Sequence, residues 1–155
     1  MLHYSYSQVV LQEVPDEISL AISISGCPMK CKGCHSSFTW KKKLGKKLTS
    51  KEMKSLINKN KHITCVLFYG GDWDIIHLKR LIKIVKDKNL KVCLYTGREL
   101  NYFDFEFISS IDYIKTGRYI EKLGGITSNT TNQKFFEINS EEIIEKEFPK
   151  KVVNL

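Results

Sequence analysis

The sequence predicts an α/β fold with a mostly parallel sheet, and three observations carry that expectation. Residues Ile63 to Tyr69 and Lys91 to Tyr95 are apolar runs of strand length, the mark of strands covered on both faces. Between them Ile75, Leu78, Leu81, Ile82 and Val85 recur at helical spacing opposite Lys79, Arg80, Lys83 and Lys86. A crossover helix is therefore expected from Asp74 to Asp87, and a strand, helix, strand order of this kind is built with parallel strands.

In chain order, Tyr6 to Val14 reads as an extended segment and Pro15-Asp16-Glu17 supplies turn chemistry, which predicts a hairpin. Glu17 to Ser25 alternates with period two. Ile18, Leu20, Ile22 and Ile24 share one face, and Ser19, Ala21, Ser23 and Ser25 the other. The small second face leaves room for a helix or bound ligand to approach, although a half-exposed strand would carry the same serines. Lys41 to Lys47 is a basic loop and Leu48 to Asn60 a helix. Its opening, Thr49-Ser50-Lys51-Glu52, fits a capping box in which the threonine oxygen takes a first-turn amide and Glu52 reaches back to the cap.

Beyond the crossover helix, on whose surface His77 is expected, the aromatic-rich segment Tyr102 to Ile108 leads into a further strand, Ile111 to Thr116. Gly117 to Asn132 is a long irregular loop, and loops of that length are often functional. Gln133 to Ile138 adds a last strand and Ser140 to Phe148 a short terminal helix capped by Ser140. The chain is read as one domain, 1–155.

The strand Glu17 to Ser25 delivers the chain into Gly26 and a loop where Cys27, Cys31 and Cys34 fall at i, i+4 and i+7. Thiolates this close can face a common centre, and so soft a ligand set selects an iron-sulfur cluster, zinc or copper(I). The number three is informative. A four-iron cubane on three protein thiolates keeps one iron free for a substrate or cofactor, whereas closed structural zinc sites and electron-transfer clusters usually carry four protein ligands. A zinc site would need a fourth ligand, and His35 is poorly placed beside Cys34, leaving only distant His62 or His77. Cys65 and Cys93 lie inside the apolar strands and read as core packing. Five cysteines is an odd count, which argues against a disulfide framework. Gly70-Gly71-Asp72 follows a buried strand directly, at the strand end where open α/β sheets bind ligands.

The Cys27, Cys31, Cys34 spacing resembles the cluster loop of the radical S-adenosylmethionine enzymes. Cys34-His35-Ser36-Ser37-Phe38-Thr39-Trp40 is similar to the segment after the last cluster cysteine in glycyl radical enzyme activases. The Lys32-Gly33-Cys34 ending and the late Asn132-Gln133 pair resemble the small activating proteins of anaerobic ribonucleoside-triphosphate reductase. Gly70-Gly71-Asp72 resembles the Gly-Gly-Glu type motif of the superfamily, with Trp73 in place of a common proline. Lys115-Thr116-Gly117-Arg118-Tyr119 stands where many activases carry Asp-Gly and an aromatic, so here the Asp is missing. The resemblance runs from about Val14 to about Phe136.

It implies a truncated (β/α) partial barrel of the radical S-adenosylmethionine type, with a 4Fe-4S cluster on Cys27, Cys31 and Cys34. It also implies an S-adenosylmethionine site at Gly33, Cys34, His35, Gly70, Gly71 and Asp72. The implied reaction is reductive cleavage of S-adenosylmethionine to a 5′-deoxyadenosyl radical, which takes a hydrogen from a glycine α carbon of a large partner. No side chain of the chain acts as a catalytic acid or base in it. The implied partner is the anaerobic ribonucleoside-triphosphate reductase or another glycyl radical enzyme, with an external one-electron reductant such as flavodoxin.

A formal net charge of +8 suits an acidic protein face or nucleic acid. The lysine runs Lys41-Lys42-Lys43 and Lys46-Lys47 lack the interleaved aromatics of a single-strand binder, which leaves a non-enzymatic zinc or redox module on nucleic acid as the alternative reading. No apolar run is long enough to span a bilayer, and Met1 to Ser5 lacks the features of a secretion signal, so a cytoplasmic protein is expected.

Overall fold

The computed structural model describes residues 1–34 and 36–150. Its strands are β1 (His3–Val10), β2 (Ser19–Ile24), β3 (Lys46–Lys47), β4 (Cys65–Tyr69), β5 (Lys91–Tyr95), β6 (Tyr113–Thr116), β7 (Lys134–Ile138) and β8 (Ile143–Lys146). The helices are α1 (Ser50–Lys59), α2 (Ile75–Asp87) and α3 (Phe105–Ser109). All eight strands join one sheet in the order β3-β1-β2-β4-β5-β6-β7-β8.

This corrects the expected fold class. Only β2–β4, β4–β5 and β5–β6 pair in parallel, while β1–β2, β1–β3, β6–β7 and β7–β8 are antiparallel, so four of the seven pairings run against a mostly parallel sheet. The chain is a mixed α/β sheet and not a truncated (β/α) partial barrel of the radical S-adenosylmethionine type. The reason lies in the connections. Each further parallel strand needs a crossover, usually a helix, and after the five-residue α3 the chain forms none. It leaves β6 through an irregular loop and returns antiparallel as β7. The expected terminal helix at Ser140 to Phe148 is likewise replaced by β8. Asn139 Oδ1 accepts the amides of Glu141 and Glu142 at 2.9 and 2.8 Å, which makes a turn, and the β-branched Ile143 and Ile144 then pair with Ile138 and Glu137.

The hairpin and the threonine half of the capping box form as expected, while the Glu52 side chain turns to Tyr4. The hairpin β1–β2 forms, and Thr49 Oγ1 caps α1 by accepting the Glu52 amide at 3.1 Å. The Glu52 carboxylate accepts the Tyr4 hydroxyl, which ties α1 to β1. Asp74 caps α2 through the His77 amide.

The even-numbered residues Leu20, Ile22, Ile24, Val66, Phe68, Val92, Leu94 and Ile114 face the helices and form the larger core with Met53, Leu78, Leu81 and Val85. The odd-numbered face packs Ala21, Cys65, Leu67, Cys93 and Tyr113 against Val10, Val14, Phe135 and Phe148. Both faces of β2 are covered, so Ser19 and Ser23 are buried and the half-exposed alternative for that strand is excluded. His77 is buried too, contrary to its expected surface place, because its Nδ1 accepts the Leu2 amide at 2.8 Å. Among the described residues, no helix is long and apolar enough to cross a membrane.

Candidate metal centre

The register of the sheet builds the floor of the site. Ser23 lies beside Tyr69, Tyr69 beside Tyr95, and Tyr95 beside Lys115, one residue from each of the four parallel-paired strands. Because side chains alternate along a strand, these four point to one face, near the C-terminal ends of their strands. The Tyr69 and Tyr95 rings are 5.4 Å apart between centroids, and Lys115 Nζ stands 4.5 Å from the Tyr95 centroid. The Tyr95 hydroxyl donates to the Glu13 carbonyl, which fixes that ring.

Above this floor is a cavity of about 330 Å³, and the sulfur residues Cys27, Cys31 and Cys34 all line it. The cysteine loop is held at its entry. Gly26 and Cys27 amides both donate to the Thr39 carbonyl, at 2.5 and 3.0 Å, and the buried Thr39 hydroxyl donates to the Ser36 carbonyl at 2.6 Å. Thr39, noticed first as part of a signature, thus acts as the clamp that closes the loop. Inside the loop the Cys34 amide donates to the Cys31 carbonyl at 3.1 Å, a turn made possible by positive φ at Gly33. The Ser36 amide donates to Cys34 Sγ at 3.4 Å. Burial pushes the Cys27 thiol up, while the Met29 and Lys30 amides pull the other way by hydrogen bonding to the sulfur.

The remaining expected site residues divide. Gly70 and Asp72 line the cavity. Gly71 does not: a side chain there would enter the core beside Leu2, Leu78 and Ile24, at 3.3 to 3.7 Å. Gly33 also stays outside the cavity, with the Glu121 side chain 2.7 Å from where its Cβ would be. Neither Gly33 nor Gly71 is among the residues that line the cavity. His35 lies outside the described residues. Cys65 and Cys93 are fully buried in the second core, as expected of packing cysteines.

Asp72 is buried, and burial pushes its carboxyl above the ordinary range even though Thr96 Oγ1 donates to it at 3.2 Å and Arg98 Nε faces it at 3.5 Å. The long loop after β6 completes the wall. Arg118 Nη2 donates to the Met29 carbonyl at 2.8 Å, Gln133 Nε2 to the Gly117 carbonyl at 3.0 Å, and Tyr119 and Gln133 line the cavity. Sequence reasoning missed Tyr69, Tyr95 and Lys115 as site residues. Their signal was present in the strand period, since each lies an even number of residues from a core position on the same strand.

The donor set fits a cluster better than a single ion. A closed structural zinc site takes four protein ligands, and among the described residues three thiols and no imidazole line this cavity. Three thiols lining one cavity suit an iron-sulfur cluster, whose protein ligands are cysteine thiolates.

No curated protein and no solved structure matches the chain. A family model described as a 4Fe-4S single cluster domain matches residues 18–146, from the residue before β2 to the end of β8, and so takes in the cysteine loop, the floor and the long wall loop. With most of its length matched, the chain belongs to the 4Fe-4S single cluster domain family.

Proposed function

We propose that the chain is a glycyl radical enzyme activase that uses a 4Fe-4S cluster and S-adenosylmethionine. The observation that carries this reading is the cavity itself. Three thiols stand on one wall, the Gly70 backbone and Asp72 carboxylate on another, and among the described residues no fourth thiol or imidazole lines the space. That arrangement supports a cluster with one iron left for a second ligand. When bound, the cluster and S-adenosylmethionine supply one-electron chemistry that removes a hydrogen atom from a substrate carbon.

The chain's own residues bind, orient and exclude water. Cys27, Cys31 and Cys34 hold the cluster, and the backbone at Gly70 with the Asp72 carboxylate receives the ammonium of the methionine end. Thr96 and Arg98 hold that carboxylate in place. Trp73, Tyr69 and Tyr95 are aromatic wall, which keeps water from the reacting centre. No side chain is needed as a general acid or base.

The substrate in this reading is the glycine loop of a large protein, the anaerobic ribonucleoside-triphosphate reductase, with flavodoxin or a similar carrier as electron source. The Lys32-Gly33-Cys34 ending, the Thr39-Trp40 pair and Asn132-Gln133 support that choice of partner. The test is anaerobic. Reconstituted protein, reductant and S-adenosylmethionine should yield 5′-deoxyadenosine and methionine, and adding the reductase should give a glycyl doublet in electron paramagnetic resonance. A doublet only on a different glycyl radical enzyme rejects the named partner, and iron-loaded protein that never cleaves S-adenosylmethionine rejects the activase.

A further inference from the structure

Two lysines project from the odd-numbered face of the sheet, and they are treated differently. At the far end, Lys91 Nζ is paired with the buried Glu17 carboxylate at 3.0 Å. At the cavity end, Lys115 has no carboxylate within ion-pair distance among the described residues. Its ammonium lies over the Tyr95 ring, and that ring is anchored by its own hydroxyl, so the charge is held at a defined place on the cavity floor. The one carboxylate that lines the cavity among the described residues is no substitute. Asp72 already faces Arg98 and accepts from Thr96.

An ammonium without a counter-charge is costly in a partly buried site, and burial lowers Lys115 to about 8. The sulfurs of Cys93, Cys34 and Cys31 pull in the opposite direction, and Lys115 lines the same cavity as Cys27, Cys31 and Cys34. A fold that keeps a lysine here is completed electrostatically by an anion in the cavity. Three thiolates outweigh the positive charge of an iron-sulfur core, so the held cluster is anionic, and each electron it accepts makes it more so.

We propose that the Lys115 ammonium is a positioning charge that raises the reduction potential of the cluster held by Cys27, Cys31 and Cys34. This rests on reading those cysteines as the cluster ligands and not on the identity of the substrate. The step concerned is the transfer of one electron from an external one-electron donor to the cluster, with no bond made or broken and no proton moved in the chain. A fixed positive charge beside the cluster favours the product of that step more than its reactant, because net charge is one of the levers that set cluster potentials. The practical consequence is that a mild cellular reductant suffices.

The experiment compares wild type, Lys115→Met and Lys115→Arg after anaerobic reconstitution, without S-adenosylmethionine or partner. Iron and sulfide per chain are counted first. The fraction reduced is then read by electron paramagnetic resonance against a solution potential set with dithionite and mediator dyes. Lys115→Met is expected to keep its iron and to be at least tenfold harder to reduce at a given potential, a shift of about 59 mV for one electron. Lys115→Arg should stay within threefold of wild type. An unchanged potential in iron-loaded Lys115→Met overturns the proposal. If Lys115→Met holds no iron, Lys115→Gln is read in its place, and loss of iron from both with retention in Lys115→Arg also overturns it, making the lysine a residue of cluster assembly. Wild type that holds no iron fails at the first count, which refutes the cysteine assignment before any lysine variant is read.

Discussion

The Trp73 ring occupies the place where a side chain on Gly70 would begin, with Cη2 2.5 Å from the ideal Cβ position. The glycine is therefore required twice, once for its φ of +90° and once for the indole that covers it. Gly70→Ala should lower stability by about 1–3 kcal/mol through overpacking and strain, and should push the indole out of the cavity wall. Denaturant unfolding measures the first effect and Trp73 fluorescence the second. Unchanged values for both would show that the wall is softer than the geometry implies.

Replacing Cys27, Cys31 or Cys34 by Ala should leave chains that retain little iron or sulfide after anaerobic reconstitution. Cys65→Ala and Cys93→Ala should keep full iron content and lose only about 1–2 kcal/mol, since each leaves a small void in the second core. Metal analysis beside urea unfolding separates the two groups, and iron loss in the second group would overturn the ligand assignment.

Gly71→Val should act on the fold and not on the ligand. The added methyls would point at Leu2, Leu78 and Ile24, so a loss of about 1–3 kcal/mol is expected with cofactor affinity unchanged in the folded fraction. Sequence reasoning had assigned the whole Gly70-Gly71-Asp72 run to the ligand. The motif was legible, but which of two successive glycines turns inward depends on the path of the turn, and spacing does not encode that path.

The same division runs through the whole molecule. β4, β5, α2 and the loop cysteines were legible because apolar runs, helical periodicity and short-range cysteine spacing are local signals. The direction of β7 was not, because it depends on whether a crossover helix precedes it. Nor was the role of Lys115, whose neighbour Tyr95 comes from another strand. Ser140 looked like a helix cap, yet Asn139 one residue earlier made the turn first.

Stability should fall in acid through Glu17. Burial would raise its carboxyl, but hydrogen bonds from Thr64, Lys91 and Tyr113 outweigh that and hold it below the ordinary range. A carboxyl lowered by folding adds stability that is present above its unfolded pKa, about 4.3, and is lost as pH drops through the lower folded value. Glu17→Gln should be less stable near pH 7 and should show a shallower acid limb. Urea midpoints between pH 7 and pH 3 read the difference, and parallel curves would remove Glu17 from the account.

If the basic surface docks a partner with an acidic face, activation should weaken as salt shortens the screening length from roughly 10 Å to 3 Å. Radical yield on the reductase against sodium chloride measures it, with cofactor cleavage in the absence of partner as the salt-insensitive control. Equal salt dependence in both would locate the effect at the cofactor.

The floor of the cavity is made of sheet and its thiol wall of loop, and these two materials open at different free energies. Amides of Tyr69, Tyr95 and Lys115 belong to the central ladder and should exchange with solvent hydrogen only on global unfolding, while those between Gly26 and Cys34, outside any strand, should exchange earlier through local opening. A centre built this way would take its ligands from one short loop while the strands beneath keep their register.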